Sequence, residues 1–490
     1  MLIKLNRLFF LEEQILAYQY RQFANKSEKI NPQQLSFFNE AEPQKDPEKI
    51  LSQEEEIQVA SYARKKTHGR KPLPPELPRV PRVYDLSEND KICSCGCVLT
   101  YIKDEKTEQL EIIPAKIYVI EHIRKKYACR HCEETIKTAN MPLAPIPRSI
   151  AGSGLLSHVL VFKFQDHLPL FRQEKILRRI GVDIPRSTLS LWVIKCAELL
   201  LPVIKLLHDR IITYDVAYAD ETTTQVLKEP QKGIHSRKYM WLFAEGPPDQ
   251  FVYYYLYHPS RSHEVPAEFL ADFNGHLHCD GFSAYDTLIT KNKNITLVGC
   301  LYHARRKFVE VAKILEGKQG VATEVIKFIA KLAKIEDDIK PSPAEKKYYV
   351  RQQQAAPILD QLYSYLEDQM PRIPPKSLLG QAVSHTLNQW PKIINYLRDG
   401  RLNISNNLSE RAIKPFVIGR KGWLFADSVA GAHAASNIHS IIETCKANNV
   451  EPYDYLRYVL QAIQQCQNLK DYEALLPYNI DKSLLISNIS

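Results

Sequence analysis

A chain of 490 residues, 44% of them hydrophobic, is long enough for several domains with their own cores, at about 150 residues per domain. A net charge of +9 excludes a histone-like polycation, so local basic clusters carry any argument about anionic partners. Ten cysteines, half of them within residues 93–132, exclude an extracellular disulfide framework and point to a metal site in a reducing cytosol.

Residues 1–45 read as a helical region. Leu8, Leu11, Ile15 and Tyr18 recur at heptad-like spacing, over too short a stretch to separate a dimerising zipper from a docking helix. Glu12 and Glu13 interrupt the apolar run before a signal-peptide core can form, and the stretch near Leu155–Phe164 is too short and too polar to span a bilayer. The expectation is a cytoplasmic protein without membrane contact. Residues 46–82 read as a linker: Arg64, Lys65, Lys66, Arg70 and Lys71 precede a stretch stiffened by Pro72, Pro74, Pro75, Pro78 and Pro81. Such an arm either lies in a DNA minor groove or is a solvated charged tether.

Residues 83–145 read as a small β-rich domain, with strand-like sequence at Ala115–Ile120. Cys129 and Cys132 form a C-x-x-C pair, and Cys93, Cys95 and Cys97 offer three thiols for two further places. Four thiolates suit one structural Zn²⁺. Which two of the first three serve stays open.

Residues 146–208 read as helical, with Phe171–Ile180 as one helix, Gly181 as its stop and Ser187 as the N-cap of the next. The pair resembles a helix-turn-helix with Arg186 and Ser187 at the start of its second helix, although ordinary cores also contain helical hairpins.

Residues 209–303 change to strands: Ile211–Ala219, Lys238–Ala244, Phe251–Tyr257, Gly275–Cys279 and Ile295–Gly299, with helices at Val265–Asp272 and from Ala284. Three strands in hairpin order, then helix, strand, helix, strand, is the layout of an RNase H-like core with a mixed sheet. Residues 304–400 read as an all-helical insertion without chemistry of its own, 401–448 as the core helix returning to the sheet, and 449–490 as a helical tail. The expected fold class is multidomain α+β.

Three acids stand out among 56 because of their settings: Asp220 in Ala219-Asp220-Glu221-Thr222, Asp280 in Cys279-Asp280-Gly281, and Glu410 in Asn406-Asn407-Leu408-Ser409-Glu410. Two near strand ends and one in a late helix make a site for two Mg²⁺ or Mn²⁺ ions, which suits in-line attack on a phosphodiester. Successive strand residues point to opposite faces, so only one of Asp220 and Glu221 can serve. His303, Arg305, Arg306 and Lys307 at one helix start, and Arg411, Lys414, Arg420 and Lys421 around the third acid, read as phosphate contacts. Trp423 reads as core or as a base-stacking platform.

Taken together, these motifs resemble the insertion-sequence-sixty-six family of DDE transposases over nearly the whole chain. Gln22–Lys29, Leu73–Arg79, Asp166–Gln173, Ile184–Leu189, the three acidic motifs, His303–Phe308 and the run from Gly419 to Leu456 carry the resemblance. The N-terminal helix is shorter than is usual in that family, and Ala217-Tyr218 stands where a His often precedes the Ala-Asp pair. The resemblance implies a transposase that binds terminal inverted repeats, cleaves its element's ends and joins the freed 3′-hydroxyl to target DNA. Its implied partners are duplex DNA, further copies of itself on that DNA, and small element-encoded accessory proteins, with the protein on the nucleoid when bound. A transposase-derived DNA-binding protein without catalysis, or an RNase H-like nuclease, are the alternatives.

Overall fold

The computed structural model describes Ile15 and residues 117–128, 136–138, 143–230, 233, 236–247, 250–314 and 320–485. The basic arm and all five clustered cysteines lie outside the described residues, as does the N-terminal helical region apart from Ile15. The chain divides into two compact units, residues 27–141 and the remainder.

In the smaller unit, β1 (Lys126–Ala128) pairs antiparallel with β2 (Ile136–Thr138), Ala128 standing opposite Ile136. Residues 117–125, within which part of a strand was expected, form none. In sequence the two strands flank Cys129 and Cys132.

The larger unit opens with four helices: α1 (Ser153–Phe164), α2 (Leu170–Arg179), α3 (Arg186–Leu199) and α4 (Leu201–Thr213). Gly181, at φ +85°, takes the left-handed conformation that ends α2 cheaply only at glycine. The N-cap of α3 is Pro185, not Ser187. The proline ring already fixes a φ suited to leading into a helix, so the serine falls inside the first turn. The run Ile211-Ile212-Thr213, strand-like by its β-branched residues, is the last turn of α4. Val203, Ile204, Leu207 and Ile211 bury one helical stripe there, and that phasing prevails over local propensity.

The strands that follow are β3 (Val216–Thr224), the short β4 (Val226–Lys228), β5 (Lys238–Glu245), β6 (Val252–His258), β7 (Gly275–Cys279) and β8 (Ile295–Gly299). Helices α5 (Glu264–Phe269) and α6 (Ser283–Lys291) precede β7 and β8 respectively. Five strands form one mixed sheet in the order β6-β5-β3-β7-β8. β3, β5 and β6 pair antiparallel, whereas β3, β7 and β8 pair parallel. Alternation along β3 and β5 sorts the side chains into two cores. Ala217, Ala219, Trp241 and Phe243 join the cluster built with α1–α4. Val216, Tyr218 and Ala244 join the cluster built with the helices that follow β8.

Those helices are α7 (Leu301–Ile314), α8 (Val321–Ile339), α9 (Ala344–Val350), α10 (Ala356–Gln369) and α11 (Leu378–Ile393). A buried Arg351 ties them back toward the sheet, pairing with Glu336 at 2.7 Å and donating to the carbonyls of Tyr396 and Asp399. Asn395 then donates to Leu297 O of β8 at 2.8 Å.

The return is made by α12 (Asn407–Trp423), whose Ala412, Ile413 and Phe416 pack on Met240 and Leu242. Each such fully buried large apolar side chain contributes roughly 1.5–3 kcal/mol. A short β9 (Ala426–Ser428) pairs with β4, and α13 (Val429–Ala447) and α14 (Pro452–Ala462) follow. Along the outer edge of β6, α13 supplies side chains where another strand would pair. Ser440 Oγ accepts from Tyr255 N at 2.8 Å, Thr444 Oγ1 accepts from Tyr253 N at 3.0 Å and donates to Tyr253 O, and Asn448, just beyond the helix, donates to Phe251 O at 2.7 Å.

Candidate active site

Parallel pairing of β3 and β7 sets Tyr218 opposite His278, their rings stacked 4.4 Å apart. The pairing ends there; two residues further along each strand direction stand Asp220 and Asp280, the latter near enough to raise the Asp220 carboxyl. Asp220 therefore lies within β3, not beyond its end, and shares a face with Tyr218. Asp280 sits directly after β7, where its Oδ1 accepts from Phe282 N at 2.9 Å and shapes the turn into α6.

Glu410 comes from the first turn of α12. Two asparagines fix that turn. Asn406 donates from its backbone to Cys300 Sγ at 3.2 Å and from Nδ2 to Ala219 O at 3.1 Å, and Asn403 Nδ2 donates to the Tyr218 hydroxyl at 2.5 Å. These asparagines were not singled out as site residues, although the close spacing of Asn403, Asn406 and Asn407 is visible in the chain.

Burial pushes the Asp220 carboxyl up to about 8, with Glu221, Asp280 and Glu410 raising it further and the Glu221 N–H, donating to its Oδ1, opposing them. Burial and the neighbouring acids thus disfavour the charged form of Asp220 in the absence of a cation. The Glu410 carboxylate lies 3.3 Å from His303 Nε2 and 3.5 Å from Arg306 Nη2. Among the described residues, one trio of donor atoms lies within 4.8 Å of one another: Cys300, His303 and Glu410. Asp280 and Glu410 are near enough to raise the Asp220 carboxyl, but the three acids are more widely spaced than that trio.

Of the basic residues, Arg306, Lys307, Arg411, Lys414 and Lys421 are exposed, as are Arg186 and Ser187 at the start of α3. Arg420 is half-buried and donates to Thr223 Oγ1 at 3.2 Å. Arg305 differs from expectation. It falls on the inner stripe of α7 with Leu301, Ala304 and Phe308 and is 8% exposed, so it does not face solvent with the other two cations. Trp423 packs against Phe164 and His439 with Lys163 Nζ over its ring, as part of the core. The helical insertion reaches the site: a Cβ at Gly281 would meet His385 Cε1 at 3.1 Å and Gln389 Cδ at 3.3 Å, both on α11. No helix among the described residues is long and apolar enough to cross a membrane.

The molecule is a mixed α+β body in which Asp280, just after β7, and Glu410, on α12, both act on the carboxyl of Asp220 in β3. The chain belongs to the IS66 family of transposases. The family described as "Transposase IS66 family" matches residues 148–434, and "IS66 C-terminal element" matches residues 440–478. The "zinc-finger binding domain of transposase IS66" matches residues 90–133, and "Transposase C of IS166 homeodomain" matches residues 10–82. The chain is also similar to three uncharacterized proteins of Sinorhizobium fredii (strain NBRC 101917 / NGR234). It is 32% identical to y4jD over 426 residues, which are 83% of this chain and 81% of that protein. It is 31% identical to y4qI over 81% of this chain and 75% of the relative, and 31% identical to y4hP over 86% and 78%.

Proposed function

We propose that the chain is a DNA transposase in which Asp220, Asp280 and Glu410 hold two Mg²⁺ or Mn²⁺ ions and which cuts and joins DNA at the ends of a mobile element. The observation that carries this reading is the placement of Glu221, Asp280 and Glu410 around the buried Asp220, each adding to the rise that burial gives its carboxyl. Hard oxygen donors in excess of local positive charge suit these ions. Two ions about 3.5–4 Å apart are served by carboxylates more widely spaced than a single-ion trio would need. Bound there, the ions would stabilise both the entering and the leaving oxygen of an in-line displacement at phosphorus.

The chain's own residues bind and orient the DNA. Arg306 and Lys307 from α7, and Arg411 and Lys414 from α12, present exposed cations near Glu410 for phosphate oxygens, and Lys421 presents another toward the far end of α12. His303 holds Glu410 from the α7 side. Arg186 and Ser187, together with the arm Arg64–Lys71, serve binding to the element ends. The sheet order, with three antiparallel strands followed by two parallel ones, supports an RNase H-like core. Water attacks phosphorus at an element end and displaces the element's 3′-oxygen, leaving a 3′-hydroxyl; that hydroxyl then attacks a target phosphodiester and displaces the target strand's 3′-oxygen. Self-association on DNA, accessory partners and a nucleoid location belong to the same reading.

The test is cleavage of a duplex ending in the element's terminal repeat, in Mg²⁺. Asp220→Asn, Asp280→Asn and Glu410→Gln should each lower cleavage by about 10²-fold or more, the scale of losing one preorganised stabilising group, while a gel shift gives unchanged affinity. Full cleavage by Asp280→Asn removes the assignment. Joining of the cut end to a second duplex separates a transposase from a hydrolysing nuclease. Metal analysis should give about one zinc per chain, lost in a Cys129→Ser, Cys132→Ser variant, as a four-thiolate site requires.

A further inference from the structure

Helix α2 is held to the body by Gln173, which donates to Val159 O and Leu168 O, and by buried Leu177. Its outward side is rich in cations. Arg172, Lys175, Arg178 and Arg179 are exposed, against a single acid, Glu174. Arg178 is engaged by Glu174 at 3.2 Å and Asp183 at 3.1 Å. Among the described residues no carboxylate pairs with Arg172, Lys175 or Arg179.

These three side chains stand at i, i+3 and i+7, on one face, and they line a cleft of about 590 Å³ with Leu168, Ile176 and Arg178. Like charges at that spacing weaken a helix, and Arg172 sits in the first turn, where the macrodipole disfavours a cation, although Arg179 sits in the last, where it favours one. Helix stability therefore does not account for the set as a whole. Phe171, 42% exposed, lies under Arg172 and Lys175, with the cations 5.9 and 5.5 Å from its ring centre.

Position links this face to the acids. A Cβ at Gly422, near the end of α12, would come within 3.1 Å of His167 O and 3.9 Å of Pro169 Cγ, and Pro169 caps α2. From Glu410 to Gly422 the helix advances about 18 Å at 1.5 Å per residue. That is roughly five nucleotides at 3.4 Å each. The exposed cations of α12 lie along the way.

We propose that the face of α2 formed by Arg172, Lys175 and Arg179 is a binding site for the phosphate backbone of duplex DNA, flanking the phosphodiester held at the carboxylate cluster. The inference rests on DNA being the substrate, but its test reads binding and not cleavage. The full-length protein is titrated with a fluorescent duplex carrying the element's terminal repeat at several salt concentrations. A triple variant, Arg172→Gln, Lys175→Gln, Arg179→Gln, is compared with a control of equal charge on exposed α8 positions, Lys327→Gln, Lys331→Gln, Lys334→Gln.

The slope of log affinity against log salt should fall by about 2–3 in the α2 variant, at about 0.9 per phosphate contact, and stay unchanged in the control. The single variant Lys175→Gln should lose about 0.9, which keeps the test available if the triple variant folds poorly. Arg172→Lys with Arg179→Lys should keep the wild-type slope. Equal slopes in the α2 variant and the control, or a wild type whose affinity does not depend on salt, overturn the proposal. A wild type that binds with this slope yet never cleaves leaves the α2 site standing and retires the catalytic reading instead.

Discussion

Arg261 closes over Glu221 from one side, its Nε donating at 2.8 Å, while the Tyr285 hydroxyl donates to the other oxygen at 3.0 Å, leaving the carboxylate 2% exposed. The same guanidinium lies 3.8 Å from the centre of the Phe282 ring, in the turn that Asp280 shapes. Glu221 thus braces the turn after β7 from the face opposite Asp220, with both its oxygens already accepting hydrogen bonds. Glu221→Gln should keep cleavage within about tenfold of wild type, where Asp220→Asn loses about 10²-fold or more. Parallel cleavage and melting measurements on the two variants check this, and equal losses would make Glu221 a member of the reacting group. Arg261→Ala strips a buried carboxylate of its main donors and should destabilise by about 1–3 kcal/mol, reduced by the exposure of the arginine. The pleat alone told Asp220 from Glu221 only up to a choice. It took Arg261, forty residues on in the chain, to show which one is engaged elsewhere.

Where β5 ends against α4, Glu245 is fully buried with Arg210 Nε 3.4 Å from its Oε1, an ion-pair contact without hydrogen-bond geometry. Burial holds this carboxyl at about 8, against the opposing pull of Arg210. Its folded value lies above the ordinary value of about 4.3, so the stability it lends is complete below about pH 4 and is lost as pH rises through 8. Glu245→Gln should accordingly melt close to wild type at pH 5 and several degrees higher at pH 9, at roughly 2–4 °C per kcal/mol. A melting difference that does not depend on pH would show the carboxyl is already ionised at pH 5.

Elements were legible to different degrees, for reasons visible in their residues. β7 and β8 match their sequence readings because glycines bound short apolar runs, at Gly275 and at Gly299. The end of α4 was misread because Ile211-Ile212-Thr213 has strand composition, and only its phase with Val203 and Leu207 marks it as helical. Local motifs singled out Asp220, Asp280 and Glu410, and the last two lie near enough to raise the Asp220 carboxyl. Their neighbours on α11, His385 and Gln389, were not singled out, because nothing local signals that the far end of an insertion returns to a turn a hundred residues earlier.

At the scale of the molecule, a long helical excursion separates β8 from α12, so the third acid is added to the sheet late in the chain. The insertion is more than an appendage, since α11 backs Gly281 and Arg351 ties the returning segment down. The sheet is completed later still, when Ser440, Thr444 and Asn448 occupy the hydrogen-bonding groups along β6.

A gene copy cut short just after β9 would encode all three acids but not α13. Its product, residues 1–428, would carry an open strand edge at Val252–His258, a template for chain-to-chain pairing. Expressed alone, it should collect in the pellet and bind an amyloid dye, whereas the full chain stays in the supernatant; a freely soluble, monomeric fragment would contradict this. On the function proposed above, such decayed copies would precipitate rather than persist as soluble competitors for the ends of intact ones. Damage late in the gene would remove a copy's product from the cell instead of turning it into an inhibitor of its siblings.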